Sequence, residues 1–234
     1  MLNQEQIYQL IKQGNFEEAL KALFENIEAS PKEVENYINA GILLAEAGEV
    51  EKAEKFFQRA ITLDPENGAI YYNLGNVYYN EGRFNEAIKL YQQALKFNVD
   101  KVDTNYMIGM SFNQLEAFNE ALPFLMTAAE LDDRDDAEVQ FQYGLVLCHL
   151  EMFEQAIGQL KRVLAIDSKH ADALYNLGLA TYMQTEDTDE AIRHFEAAVD
   201  ANPDHVMSHH AIKHLKLSQR RNNLWKTLHY LTIQ

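Results

Sequence analysis

The sequence predicts an all-α protein, a solenoid of antiparallel helix pairs with a capping helix towards its C-terminal end. One observation is a repeat, because alanines recur at intervals of 34 or 35 residues, at Ala19, Ala53, Ala87, Ala121, Ala156 and Ala191. Glycines keep the same period in a second register, at Gly41, Gly75, Gly109, Gly144 and Gly178. The apolar residues between them follow helical spacing, so each period holds two helices joined by a short turn.

The period divides residues 1–205 into six repeats of one helix pair each, with bounds 1–33, 34–67, 68–101, 102–136, 137–170 and 171–205. In repeat 3 (68–101), the packed face of the first helix is predicted to carry Tyr71, Leu74, Gly75 and Tyr78. Gly82 makes the turn to the second helix, whose small alanines allow the helix backbones to approach closely. The other repeats follow the same scheme.

The C-terminal segment differs from the repeats in charge. Residues 205–234 contain five Lys or Arg and no Asp or Glu, so this segment has a formal charge of +5 and residues 1–204 have −21. Residues 206–217 are predicted to be the capping helix, because a solenoid otherwise ends in an exposed apolar face. Residues 218–234 are predicted to be a basic amphipathic helix or tail, with Leu224, Trp225, Leu228 and Leu231 on one stripe. Its role stays open between a second cap, contact with an anionic membrane and docking onto another copy.

These motifs resemble the tetratricopeptide repeat (TPR) family. The resemblance is fullest in "YYNLGNVY…EAIKLYQQAL" and "YINAGILL…KAEKFFQRAITLDP", which carry the aromatic, Leu-Gly, Tyr, Ala and Pro positions of the family signature. It implies a right-handed superhelical array in which the first helices line a concave groove and the second helices lie outside. It also implies the usual use of that groove, which is to hold a peptide or another protein.

The side of the first helices opposite to their packed face is predicted to line this groove. Its aromatic, apolar and amide side chains are Ile38, Asn39, Ile42, Tyr72, Asn73, Asn76, Tyr79, Tyr106, Met110, Phe141, Gln142, Leu145, Tyr175, Asn176, Leu179 and Tyr182. An amide has donors and an acceptor, so a row of amides can bind a peptide backbone, as in the asparagine ladder of some family members. Two alternatives stay open: the rings pack sideways onto the adjacent repeat, and the amides bind neighbouring backbone.

The groove is predicted to prefer an apolar ligand with flanking positive charge. Some family members clamp acidic C-termini with lysines on this face, but the corresponding positions here include the acidic residues Glu35, Asp103, Glu138 and Asp172. A carboxylate clamp is therefore not expected, and charge complementarity favours basic residues in the partner.

Composition and charge argue against several other classes of function. The net charge of −16 and a pI near 4.8 disfavour nucleic acid as a partner. No apolar run reaches the 18 residues of a membrane span, so stable membrane insertion is not expected. We expect no signal peptide and take the cytoplasm as the predicted compartment.

Neither an active site nor a metal or cofactor site is predicted. The sequence lacks phosphate-binding and nucleophile-elbow motifs. Cys148 and His149 are adjacent on a helix and point about 100° apart, which does not suit a nucleophile and its base. Histidines four residues apart, His205 with His209 and His210 with His214, could chelate Zn²⁺, but no further ligands accompany them.

The sequence thus predicts a non-catalytic scaffold or adaptor that binds a peptide segment in its groove. The alternative is a regulatory or assembly subunit of an enzyme complex. Such a subunit would dock through its convex face or its C-terminal tail, and the tail could also mediate self-association.

Overall fold

The computed structural model describes the backbone of residues 1–231 and the side chains of residues 1–219, and in that part of the chain every regular element is an α-helix. The N-terminal unit, Met1–Ala117, contains α1 (Gln4–Lys12), α2 (Phe16–Ala29), α3 (Val34–Glu46), α4 (Val50–Leu63), α5 (Gly68–Asn80), α6 (Phe84–Ala94) and α7 (Lys101–Gln114). The C-terminal unit, Phe118–Gln234, contains α8 (Phe118–Leu131), α9 (Ala137–His149), α10 (Phe153–Ile166), α11 (Ala171–Thr185), α12 (Thr188–Ala201) and α13 (Val206–Leu231). Up to α11, the odd-numbered helices are the first helices of the predicted repeats. The predicted all-α fold of helix pairs is confirmed.

Glycines on the first helices allow them to pack directly on aromatic rings of the second helices. A Cβ atom added at Gly75 would lie 2.6 Å from Tyr91, and one added at Gly178 would lie 2.6 Å from Phe195. Both distances are shorter than any contact between non-bonded carbon atoms. Glycine is therefore required at these two positions of the repeat, because the helix and the ring approach so closely.

Hydrogen bonds tie each of three first helices to the end of the preceding second helix. The hydroxyl groups of Tyr37 and Tyr71 donate to the carbonyl oxygens of Pro31 (3.0 Å) and Pro65 (2.7 Å). Repeat 5 lacks both residue types, and there the buried Gln140 donates from Nε2 to the carbonyl oxygen of Ala129 at 2.9 Å. Different side chains therefore make the same connection.

The turn within each helix pair contains one residue with a positive φ. This residue is glycine in the first three pairs (Gly14, Gly48 and Gly82, φ of 71–78°) and glutamate in the last three (Glu116, Glu151 and Glu186, φ of 56–58°). In this left-handed conformation the Cβ atom of an L-residue is crowded by the backbone, which costs conformational free energy. Glycine has no Cβ atom and avoids this cost.

The C-terminal helix α13 packs against α12, where the sequence places the capping helix. It is one helix, Val206–Leu231, and it continues through the predicted boundary at 217/218. Leu215 is buried with Ile192 and Phe195 of α12, and Lys216 forms an ion pair of 2.7 Å with Glu196.

Four apolar residues of the segment 206–217 are expected from the sequence to pack on the repeats, namely Val206, Met207, Ile212 and Leu215. Leu215 is buried and Ile212 packs beside it, whereas Val206 and Met207 are exposed in the first turn of the helix. The predicted stripe Leu224, Trp225, Leu228 and Leu231 lies outside the described side chains, so the roles suggested for it stay predictions.

Candidate peptide-binding groove

We use "groove face" for the side of α3, α5 and α7 in the N-terminal unit, and of α9 and α11 in the C-terminal unit, that carries the predicted binding residues. Fifteen of these sixteen side chains are half-buried. The other, Phe141, is only 6% exposed, because its ring packs with Leu160 and Leu177 and lies 4.5 Å from the His170 ring. Phe141 therefore belongs mainly to the core and offers little surface to a ligand.

Three tyrosines of the groove face lie against the second helices of their own repeats. The ring centroid of Tyr72 lies 5.6 Å from that of Tyr91, and that of Tyr175 lies 5.5 Å from that of Phe195. Tyr79 meets Phe84 edge-on at 5.3 Å. These rings are consequently held by packing on one side, and the remaining part of each ring is accessible.

The amides of the groove face make local hydrogen bonds. Asn73 and Asn176 each donate from Nδ2 to the carbonyl oxygen four residues earlier, Ala69 and Asp172, at 2.8 Å. Such a bond uses one N–H of the amide and leaves the other N–H and the oxygen for further partners. It also restricts the side chain to one orientation, so the two repeats present their amides in the same way.

The remaining amides of the set are held by other side chains. Asn39 donates to Gln4 Oε1 at 3.1 Å, and Gln142 donates to Glu138 Oε1 at 2.7 Å. Asn76 accepts a bond of 2.7 Å at Oδ1 from the hydroxyl of Tyr91. Burial raises the pKa of Tyr91 well above its ordinary value, so this hydroxyl stays a donor at any physiological pH.

Three cavities lie between successive first helices of the N-terminal unit. The α1/α3 cavity, of about 310 Å³, is lined by Gln4, Glu5, Ile7, Tyr8, Ile11, Glu35 and Asn39. The α3/α5 cavity, of about 330 Å³, is lined by Ile42, Ala45, Glu46, Val50, Asn73, Asn76, Val77, Asn80 and Glu81. The α5/α7 cavity, of about 280 Å³, is lined by Ala69, Tyr72, Asn98, Val99, Asp100, Asp103 and Thr104.

Sequence reasoning missed part of this lining, for two reasons. Tyr8 lies on α1, whose repeat is too degenerate for its groove positions to be aligned with the others. Glu46 and Glu81 lie at the C-terminal ends of α3 and α5, and Asn98 lies in the connection between α6 and α7, where a helical period no longer indicates direction. Only Glu46 and Glu81 could have been recognised from the sequence, because each lies directly before the turn of its helix pair.

The first helices carry an excess of negative charge. α3, α5, α9 and α11 contain no Lys or Arg. In the N-terminal unit, Glu35, Glu46 and Glu81 make no ion pair with any residue that the structure describes. In the C-terminal unit, by contrast, Asp172 is bound by His205, with 2.9 Å between Oδ1 and Nε2.

Two of the histidines considered for metal binding, His205 and His209, have other partners. His205 precedes α13, and its Nδ1 accepts a hydrogen bond from the backbone N–H of Ser208 at 3.2 Å, which caps the helix. Among residues 1–219 no three His, Cys, Asp or Glu side chains form a group that could hold a metal ion. Burial raises the pKa of the Cys148 thiol to about 11, which keeps it protonated and unreactive near neutral pH. None of the described helices is long and apolar enough to cross a membrane.

Protein-family models and solved structures both match this chain to tetratricopeptide repeat proteins. One tetratricopeptide repeat model matches residues 6–68 and 149–206, a second matches 44–106 and a third matches 102–135. The crystal structure of YrrB, described as a TPR protein with an unusual peptide-binding site, has 34% sequence identity and a TM-score of 0.74, covering 83% of this chain and 99% of its own.

More distant structures show the fold alone. The C-terminal part of a TPR repeat-containing protein from Cytophaga hutchinsonii has a TM-score of 0.72 at 17% identity and covers 84% of this chain and 78% of its own. Pseudomonas aeruginosa pilF has a TM-score of 0.72 at 17% identity and covers 88% and 93%. The comparison with curated proteins found no match.

Proposed function

The chain belongs to the tetratricopeptide repeat family, whose fold serves as a protein-interaction scaffold, and we propose that its groove face binds a peptide segment of another protein. The partner segment is apolar with flanking basic residues. Its side chains contact the half-buried rings, and its backbone contacts the amides. The protein acts as an adaptor and not as an enzyme, and the cytoplasm stays the predicted compartment.

The observation that carries this proposal is the hydrogen bond that holds Asn73 and Asn176 in the same way on their own helices. Each amide is fixed by the same bond of 2.8 Å to its own helix, and each keeps an oxygen and one N–H for a ligand. A peptide backbone needs such a donor and acceptor together, whatever its side chains are. Holding the amide in place before binding lowers the conformational entropy lost when the peptide binds.

YrrB supports the same use of the fold, because its structure is described as containing a peptide-binding site and it shares 34% of its sequence with this chain. The exposed parts of the tyrosine rings suit apolar side chains, since rings of this kind contribute strongly to protein interfaces. The acidic residues along the first helices favour a partner that carries positive charge.

The experiment is to select binding peptides from a displayed library and measure their affinity by calorimetry for matched variants. Asn73→Ala removes a groove amide, and Gln92→Ala removes an exposed amide from the second helix α6 as the control. We expect Asn73→Ala to weaken binding about tenfold, since the two hydrogen bonds available to a peptide are lost. Gln92→Ala should leave the affinity within about twofold.

Peptides that bind Asn73→Ala as tightly as the wild type would contradict the proposal. If Gln92→Ala or other changes on the second helices weaken binding instead, the partner docks on the second helices. That result would favour the alternative of an assembly subunit. Circular dichroism of each variant checks that the helices remain folded.

A further inference from the structure

The C-terminal helix α13 is longer than the helix that it packs against. At 1.5 Å per residue, its 26 residues span about 39 Å, whereas the 14 residues of α12 span about 21 Å. The two helices are antiparallel, because Lys216 pairs with Glu196 and the later residue Gln219 donates to the earlier residue Asp189 at 2.7 Å. Asp189 lies in the first turn of α12, so α13 reaches the end of α12 at Gln219.

We use "arm" for residues 220–231, the part of α13 that follows Gln219. The arm adds about 18 Å of helix beyond the start of α12. Because α12 does not extend along the arm, the arm cannot cover α12 as a second cap. Its partner surface must come from elsewhere.

The exposed face of α13 leads into the apolar stripe of the arm. Leu217 is 53% exposed, and it lies about 200° around the helix from the buried Leu215, opposite to the face that packs on α12. In the sequence, Leu224, Leu228 and Leu231 follow Leu217 at spacings of seven, four and three residues. In a helix these spacings return to one face, so the stripe continues the exposed face of α13 and not its packed face.

The charge of the arm favours the body of a second copy as its partner. The arm contains Arg220, Arg221 and Lys226 and no Asp or Glu, whereas residues 1–204 have a formal charge of −21. Two arms that paired with each other would bring like charges together, which opposes that contact. An anionic bilayer would attract the arm but repel the rest of the acidic chain.

The groove face of α3, α5 and α7 is the part of the second copy that suits the arm. Every second helix except α8 carries exposed Lys or Arg, such as Lys55 and Arg59 on α4 and Arg162 on α10. By contrast, α3 and α5 contain neither residue type, and α7 has one lysine, at its first residue. The half-buried rings of Tyr72 and Tyr79 offer apolar surface there, on which an amphipathic helix can lay its apolar face.

From these observations we propose that the arm of one copy docks as a helix on the groove face of α3, α5 and α7 in a second copy. The leucine stripe lies on the rings, and the basic residues of the arm meet no opposing cation. A helix bonds its own backbone, so this contact uses the rings and not the amides of the groove face. The inference therefore concerns self-association and does not rest on the peptide binding proposed above. Each copy has one arm and one such face, so two copies can exchange arms or successive copies can form a chain.

The test uses Trp225, the sole tryptophan of the chain, which lies in the arm. Its fluorescence emission is measured for the full chain over a wide range of protein concentration, with sedimentation velocity on the same samples. We expect the emission to move to shorter wavelength as the sedimentation coefficient rises, because docking removes the arm from water. Short-wavelength emission at every concentration would mean that the arm packs on its own chain. A shift that requires added anionic vesicles would mean a membrane contact, and either result overturns the inference.

Matched variants of the arm test its stripe. Leu224→Asp with Leu228→Asp places charge on the stripe, and Asn222→Asp with Asn223→Asp adds the same charge on the other side of the arm. We expect the first pair to weaken self-association about tenfold or more and the second pair by less than about threefold. Equal effects of the two pairs would mean general attraction between opposite charges and would overturn the inference.

Matched variants of the body locate the docking surface. Tyr79→Ala removes a ring of the groove face, Phe24→Ala removes an exposed ring of α2, and Met126→Ala shortens an exposed side chain of α8. We expect Tyr79→Ala to weaken self-association about tenfold and the other two to change it by less than about twofold. A larger effect of Phe24→Ala or Met126→Ala would place the arm on the second helices and overturn the inference. Circular dichroism checks the fold of each variant.

Asn73→Ala separates this inference from the proposed function. We expect this variant to associate like the wild type, because a docked helix does not need the amide. If library-selected peptides depend on Asn73 while the full chain stays monomeric, only this inference fails. If the chain associates through Tyr79 while no peptide depends on Asn73, only the proposed peptide binding fails.

Discussion

Repeats 3 and 6 lie in different units of the molecule and use the same packing with different polar groups. In repeat 3, Gly75 lies under the ring of Tyr91, and the hydroxyl of Tyr91 donates to Asn76. In repeat 6, Gly178 lies under Phe195 in the same way. Phe195 has no hydroxyl group, and the residue equivalent to Asn76 is Leu179.

The comparison indicates which features the fold requires and which can vary. A glycine under a ring is present in both repeats, because no other residue leaves room for the ring. The polar pair of repeat 3 is replaced as a whole in repeat 6, so that neither repeat buries a hydroxyl without a partner. An unpaired buried polar group costs free energy, whereas replacing both partners by apolar groups can be nearly neutral.

The largest expected effect comes from adding a methyl group where a glycine packs against an aromatic ring. Gly75→Ala and Gly178→Ala should each lower the free energy of unfolding by about 1–3 kcal/mol, because the new methyl group forces the helix pair apart. Chemical denaturation monitored by circular dichroism measures the change. Equal losses in the two repeats would confirm that ring and glycine form one packing unit.

Two other glycines serve as controls for that prediction. Gly158 lies inside α10 with no atom within 4 Å of an added Cβ, so Gly158→Ala should be neutral or stabilise by up to about 1 kcal/mol through helix propensity. Gly144 faces Leu160 instead of an aromatic ring, at 3.2 Å, and Gly144→Ala should fall between these limits. A loss at Gly158 as large as at Gly75 would show that steric contact is not the cause.

A smaller effect is expected from the polar pair of repeat 3. Tyr91→Phe should destabilise the protein by about 1 kcal/mol, since Asn76 Oδ1 loses its partner. Adding Asn76→Leu converts the pair to that of repeat 6 and should recover most of the loss. The measurement is a double-mutant cycle of unfolding free energies, and additive effects of the two changes would contradict the coupling.

The same comparison explains how much of the fold could be predicted from the sequence. The 34-residue period located the helix pairs, because glycine and alanine positions are imposed by close helix contacts that every repeat makes. Three of the four residues predicted for the packed face of α5, Tyr71, Leu74 and Gly75, are buried, and the fourth, Tyr78, is half-buried. Periodicity indicates the direction in which a side chain points, and direction was sufficient for these residues.

The extent to which a side chain is buried and the residues that it contacts could not be predicted in this way. Phe141 and Tyr72 occupy equivalent positions, yet Phe141 is buried and Tyr72 is half-buried. The reason is tertiary, because the ring of Phe141 also packs with Ala173 and Leu177 of the following repeat. Likewise the histidine pair His205 and His209 suggested a chelate, but His205 lies outside the helix as its cap, so the two are not on one helical face.

The smallest expected effect concerns the turns, where repeat 3 has Gly82 and repeat 6 has Glu186 with φ values of 71° and 58°. A side chain in this left-handed region costs about 1–2 kcal/mol, while glycine adds conformational entropy to the unfolded chain that offsets about 0.4–1 kcal/mol. Glu186→Gly should therefore stabilise the protein by about 0.5 kcal/mol. Glu186→Ala is the matched control, because it removes the same charge and keeps a Cβ atom, so that it should give no such gain. If both variants raise the unfolding free energy equally, the cause is the lost carboxylate and not the backbone, and the turns of repeats 3 and 6 are then equally relaxed.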